Sequence, residues 1–145
     1  MKKILLVVGL VAGSMALTGC GTETLTCTKE EKTGDITTTS EIKATFEGDK
    51  TKTVEASSTA KYPDSYKSQM DKIKSMAESM LGSNADEEGV DFNITTKGTS
   101  LTYTLTYDID KLSDEEKSNV GFDANTDQSK EVAQKSLEKQ GYTCK

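Results

Sequence analysis

Apolar and polar residues alternate along most of this chain, and a helical period replaces the alternation in only a few places. In Thr24-Leu25-Thr26-Cys27-Thr28, Leu25 and Cys27 fall on one face of a first strand. From Ile36 the alternation is longer. Ile36, Thr38, Ser40, Ile42, Ala44 and Phe46 share one face, and Thr37, Thr39, Glu41, Lys43 and Thr45 share the other. A third stretch sets Val54, Ala56, Ser58 and Ala60 inward and Thr53, Glu55, Ser57 and Thr59 outward. The turn signals Lys32-Thr33-Gly34-Asp35 and Gly48-Asp49-Lys50 separate the three. Strands joined by such short turns predict an antiparallel meander with one half-buried face.

Pro63, the single proline, ends the third strand and opens a helix with Asp64 or Ser65 as its cap. Tyr66, Met70, Ile73, Ala77, Met80 and Leu81 recur at amphipathic spacing, so a helix is expected over about 64–81, ended by Gly82. The methionines read as core packing against the sheet. Two more strands follow, with Val90, Phe92 and Ile94 on one face of the first and Leu101, Tyr103, Leu105, Tyr107 and Ile109 on one face of the second. Lys97-Gly98-Thr99 turns the chain between them. Ser113 and Glu116 occupy the reciprocal positions of a capping box ahead of a short helix. A last helix is expected over about 127–140, capped by Thr126, striped with Val132, Ala133 and Leu137, and ended by Gly141. The predicted class is α+β: an antiparallel sheet of about five strands, with the 64–81 helix on one face and a C-terminal helix.

The N-terminus follows a different logic. Met1-Lys2-Lys3 is a charged segment and Ile4 to Leu17 an apolar one of signal-peptide length, shorter than the roughly 20 residues that span a bilayer comfortably. It runs into Leu17-Thr18-Gly19-Cys20, which reads as a lipobox: cleavage before Cys20, with lipid carried on its sulfur. The chain divides accordingly into a lipoprotein signal peptide (1–19), a lipidated cysteine with a short tether (20–23) and one extracytoplasmic domain (24–145). The expected location is the cell membrane, facing outward, with the bilayer as a partner through acylated, palmitate-bearing Cys20.

Composition narrows the chemistry. The 145 residues carry a formal charge of -6, which becomes -8 once Lys2 and Lys3 are removed, so nucleic acid is not an expected partner. The chain has no Arg, His or Trp. The commonest general base and metal ligand is therefore missing, as is the bidentate phosphate clamp. No cofactor or metal is expected; the acidic loop Asn84 to Gly89 with Asp91 lacks EF-hand spacing. Assigning Cys20 to lipid leaves Cys27 and Cys144 as an even pair, expected to oxidise together outside the cytoplasm. A redox pair or half a metal site is the alternative for these two thiols.

The signal, the lipobox, the early Leu25-Thr26-Cys27 strand, the Met-rich helix and the near-terminal Cys144 together resemble the YehR-like small bacterial lipoproteins, whose function is uncharacterised. The resemblance implies a membrane-anchored α+β domain and brings no functional residues with it. The expected function is non-catalytic binding of a small ligand, a peptide or an envelope partner. The candidate surfaces are the outward Thr/Ser/Lys/Glu strand face, such as Thr102, Thr104 and Thr106, with the exposed acidic loops, and a helix–sheet cavity lined by Tyr66, Met70, Met76, Phe92 and Tyr103. The alternatives are a pheromone released from Val11 to Gly19 and, least favoured, a hydrolase using a Ser/Lys pair.

Overall fold

The computed structural model describes residues 21–81, 88–119 and 129–145. Three strands of equal length open the fold: β1 (Thr22–Thr33), β2 (Ile36–Glu47) and β3 (Lys50–Lys61). A 3-10 helix (Asp64–Gln69) leads into α1 (Met70–Leu81), followed by β4 (Val90–Lys97), β5 (Ser100–Asp108), α2 (Asp114–Asn119), α3 (Lys130–Lys139) and β6 (Thr143–Cys144). The described residues form one antiparallel sheet in the order β4-β5-β3-β2-β1-β6. The α+β architecture is as expected, with a sixth strand added where the C-terminal tail pairs with β1.

The hairpins are dictated locally. β1–β2, β2–β3 and β4–β5 are each joined by two residues beginning with a glycine at positive φ: Gly34 (61°), Gly48 (61°) and Gly98 (62°). Glycine reaches this region without steric cost, and two-residue loops of this kind match the twist of the strands they join. The meander then holds register over eleven or more residue pairs per hairpin, with one irregularity between Thr45 and Phe46 in β2.

Register lines up the apolar residues in rows. Leu25 faces Ala44, Ala44 faces Val54, Val54 faces Tyr107, and Tyr107 faces Val90. Leu25, Cys27, Ala44, Phe46 and Val54 form the main buried cluster, against which Ala133 and Leu137 of α3 and Tyr142 pack. A second cluster joins Met70 of α1 to Ile94 and Leu101, with Ile73, Ala77, Phe92 and Tyr103 at its margin. Both clusters use the same sheet face, so α1 covers its β4 side and α3 its β1–β6 side. The other face presents Thr, Ser, Lys and Glu.

The helices depart from expectation in detail. The first six residues of the 64–81 segment are 3-10 rather than α, as helix starts often are. Neither Asp64 nor Ser65 caps it; Pro63 holds the N-cap position without a side-chain bond, and Tyr66 N–H bonds to its carbonyl at 3.0 Å. Met80 lies outside the core at 76% exposure, and Met76 at 56%. At 3.6 residues per turn they sit roughly 60–120° round the helix from Met70 and Ala77. α3 begins at Lys130 with Ser129 as its N-cap, later than expected, and Val132 is exposed. Thr126 lies outside the described residues. The capping box does form: Ser113 N–H donates to Glu116 Oε2 at 2.6 Å, and Glu116 N–H to Ser113 Oγ at 3.3 Å.

Candidate functional site

Because β1, β2 and β3 are each twelve residues long, their ends coincide, and the sheet has two distinct poles. At one pole the chain enters: Thr22 pairs with Glu47, and Gly48 N–H reaches the Gly21 carbonyl at 3.3 Å. The other pole lies about 37 Å away along β1, at a rise of ~3.4 Å per residue. Three segments meet there: the β1–β2 turn, the link from β3 into the 3-10 helix, and the β4–β5 turn. Tyr62 N–H donates to the Thr99 carbonyl at 2.9 Å and fastens the second segment to the third.

Between them lies an open cleft of about 520 Å³, lined by Asp35, Thr37, Lys61, Tyr62, Pro63, Asp64 and Thr99. Its volume falls within the ~300–1,000 Å³ of small-molecule sites. Tyr62 is half-buried and its ring lies 5.7 Å from that of Tyr66, so one wall is aromatic and anchored. Asp35, Lys61 and Asp64 are exposed to solvent around it.

The structure sorts the expected site residues as follows. Cys20 lies outside the described residues, as do residues 82–87 of the acidic loop. Cys27 and Cys144 are brought together as opposed residues of β1 and β6, their sulfur atoms joined in a disulfide. Thr102, Thr104 and Thr106 lie on the polar sheet face, where Thr102 Oγ1 and Thr59 Oγ1 share a hydrogen bond at 2.8 Å. The five residues named for a helix–sheet cavity do not enclose one. Met70 is buried against Ile94 and Leu101, while Met76 and Tyr66 are exposed. The cleft opens instead beyond the strand ends.

The cleft escaped the sequence because its residues come from two turns, two strand ends and the start of the 3-10 helix, and no local signal says which of these share a pole. The usable hint was strand length. Equal strands place the first turn and the end of the third strand on one side, and the pairing of Lys61 with Ser100 brings the Gly98 turn to them.

A hydrogen bond and ion pair with Asp110 raise the pKa of Lys52, helped by Glu47, and Lys52 in turn lowers that of Asp110. Asp108 raises Lys111, and Glu31 raises Lys29, whose Nζ also stands 5.8 Å from the Tyr142 ring centre. These shifts hold lysines in their charged form, the opposite of what a lysine base needs. Among the described residues no three His, Cys, Asp or Glu side chains cluster to hold a metal. No described helix is long and apolar enough to cross a membrane.

No protein-family model matches the chain, and no curated protein sequence matches it. Two solved structures do share its fold. The NMR structure of a protein from Streptococcus pneumoniae TIGR4 superposes with a TM-score of 0.57 at 15% identity, over 100% of this chain and 97% of that one. The NMR structure of E. coli YehR gives a TM-score of 0.58 at 15% identity, over 86% of this chain and 92% of its own. At that identity the likeness defines a fold class, a YehR-like α+β sheet covered on one face.

Proposed function

We propose that the chain is an outward-facing, membrane-anchored lipoprotein whose single domain binds a ligand or partner without catalysis. The observation that carries this reading is a spacing. Cys20 of the lipobox precedes β1 by one residue, Gly21, and β1 runs from there to the pole that bears the cleft. A domain fastened by Cys20 presents its entry pole to the bilayer and its cleft to whatever lies beyond. Acylation supplies the hold: at ~0.8 kcal/mol per buried CH₂, one chain is marginal, while two or three make a durable anchor. The paired Cys27 and Cys144 support an oxidising compartment.

Metabolic labelling with a palmitate analogue tests the anchor. Wild-type chain is expected to take up label and fractionate with membranes, and Cys20→Ala to do neither. Label on both chains would overturn the assignment. Protease added to intact cells or spheroplasts should reach the domain; full protection would place it on the wrong side.

A further inference from the structure

The cleft at the far pole draws charges of opposite sign from different elements, and that division specifies a class of ligand. Its lining includes two carboxylates, Asp35 and Asp64, and one ammonium, Lys61. The cation belongs to the polar face of the sheet. Register places Thr37 directly between Lys32 of β1 and Lys61 of β3, so two exposed lysines flank one hydroxyl that lines the cleft. The carboxylates belong to the other components, Asp35 to the β1–β2 turn and Asp64 to the first residue of the 3-10 helix. Tyr62 and Pro63 stand in the chain between Lys61 and Asp64 and supply the apolar wall.

We infer that the cleft holds a small zwitterion, an amino acid or a short peptide with free ends. Its ammonium is received by Asp35 and Asp64, and its carboxylate by Lys61 and Lys32 across Thr37. The proposal stands on the cleft and the division of its charges, not on the carboxylate pair alone, and it rests on the binding role proposed above. A lone anion meets two carboxylates in the lining. A lone amine leaves the lysine side unused. Length agrees as well: Lys61 and Asp64 are three residues apart, at most about 10–11 Å of chain, and an extended dipeptide separates its termini by about 7 Å. Side chains on both sides close the difference. The aromatic wall suits an apolar side chain, and the bond from Tyr62 N–H to the Thr99 carbonyl holds that wall in place.

The test is equilibrium dialysis of radiolabelled dialanine against the full lipidated chain in nanodiscs, with empty nanodiscs as the blank. Saturable binding is expected, weakened about tenfold or more by N-acetylation of the peptide or by Asp35→Asn with Asp64→Asn, since each removes a charge-assisted hydrogen bond. C-terminal amidation and Lys61→Gln should weaken it in the same direction. These positions are exposed, and an unchanged thermal midpoint in each variant separates lost binding from lost fold. No saturation up to about 10 mM, equal binding of free and acetylated peptide, or binding indifferent to the substitutions would overturn the inference. Failure here with palmitate still on Cys20 removes the zwitterion site and leaves the anchored protein standing; loss of the palmitate label removes the anchor whatever dialanine does.

Discussion

Cys27 and Cys144 oppose each other across β1 and β6 as a non-hydrogen-bonded pair. The flanking couple, Thr26 and Lys145, exchanges both backbone bonds, at 3.3 and 2.9 Å. In an antiparallel ladder the non-hydrogen-bonded positions bring side chains closest, which is where a cross-strand bridge fits. The two-residue strand β6 is thus fastened to the most buried part of β1, since Cys27 is 0% exposed.

The bridge spans 117 residues of sequence, nearly the whole domain. Closing a loop of that size is worth about 4–5 kcal/mol in the chain-entropy account. Cys27→Ser with Cys144→Ser should lower stability by about that amount, read from urea unfolding. Reductant should bring the wild type down to the variant and leave the variant unmoved. A wild type indifferent to reductant would show that the bridge contributes nothing.

Phe46 and Met80 test where the core ends. Phe46 is fully buried at 0% exposure, whereas Met80 is 76% exposed. Phe46→Ala should cost about 3–5 kcal/mol through lost transfer energy and the cavity left behind. Met80→Ala should stay within about 0.5 kcal/mol of wild type. Comparable losses at both positions would mean that α1 buries the face carrying Met80.

That contrast also marks how far the sequence could be read. Strand faces were legible because period-two alternation leaves little choice: once Leu25 is inward, Cys27 follows, and register carries the pattern through Ala44 and Val54. Gly34, Gly48 and Gly98 fixed the hairpins, and Ser113 with Glu116 fixed a helix start through local chemistry. Helix burial was less legible. An apolar residue at helical spacing faces the core only if its angle round the helix turns it toward the sheet, and Met80 and Val132 are turned away and exposed. The cleft was least legible of all, because Asp35, Lys61 and Thr99 are brought to one pole by the pairing of distant strands and by no local pattern.

Gly89 is the position where backbone geometry and packing coincide. Its φ is +87°, and a Cβ there would meet Lys111 Cβ at 2.8 Å and the Asp108 carbonyl oxygen at 3.1 Å. Gly98 has a φ of +62° with nothing within 4 Å of such a Cβ. Gly98→Ala should therefore cost only the left-handed penalty, about 1–2 kcal/mol. Gly89→Ala should add about 1–3 kcal/mol for the overlap. Equal costs in chemical unfolding would mean that the segment around Lys111 yields freely.

Glu116 and Asp110 each make a local contribution to stability that depends on their ionisation. The Ser113 hydroxyl, then the Ser113 backbone N–H, lower the pKa of Glu116 from its ordinary 4.5; Lys52 lowers that of Asp110 from 3.8. In each case the folded state holds the proton less tightly than the unfolded chain. The stabilisation is therefore complete above the ordinary carboxylate range and is lost as pH falls through the lowered folded values. Glu116→Gln removes the ionised acceptor from the Ser113 cap. The stability difference between wild type and this variant should be largest near neutrality and shrink through the acid range. Carboxyl-carbon NMR titration should put the midpoint of Glu116 below 4.5. A midpoint at or above that value, or a difference between the two proteins that does not change with pH, would mean that the cap does not hold the carboxylate in solution.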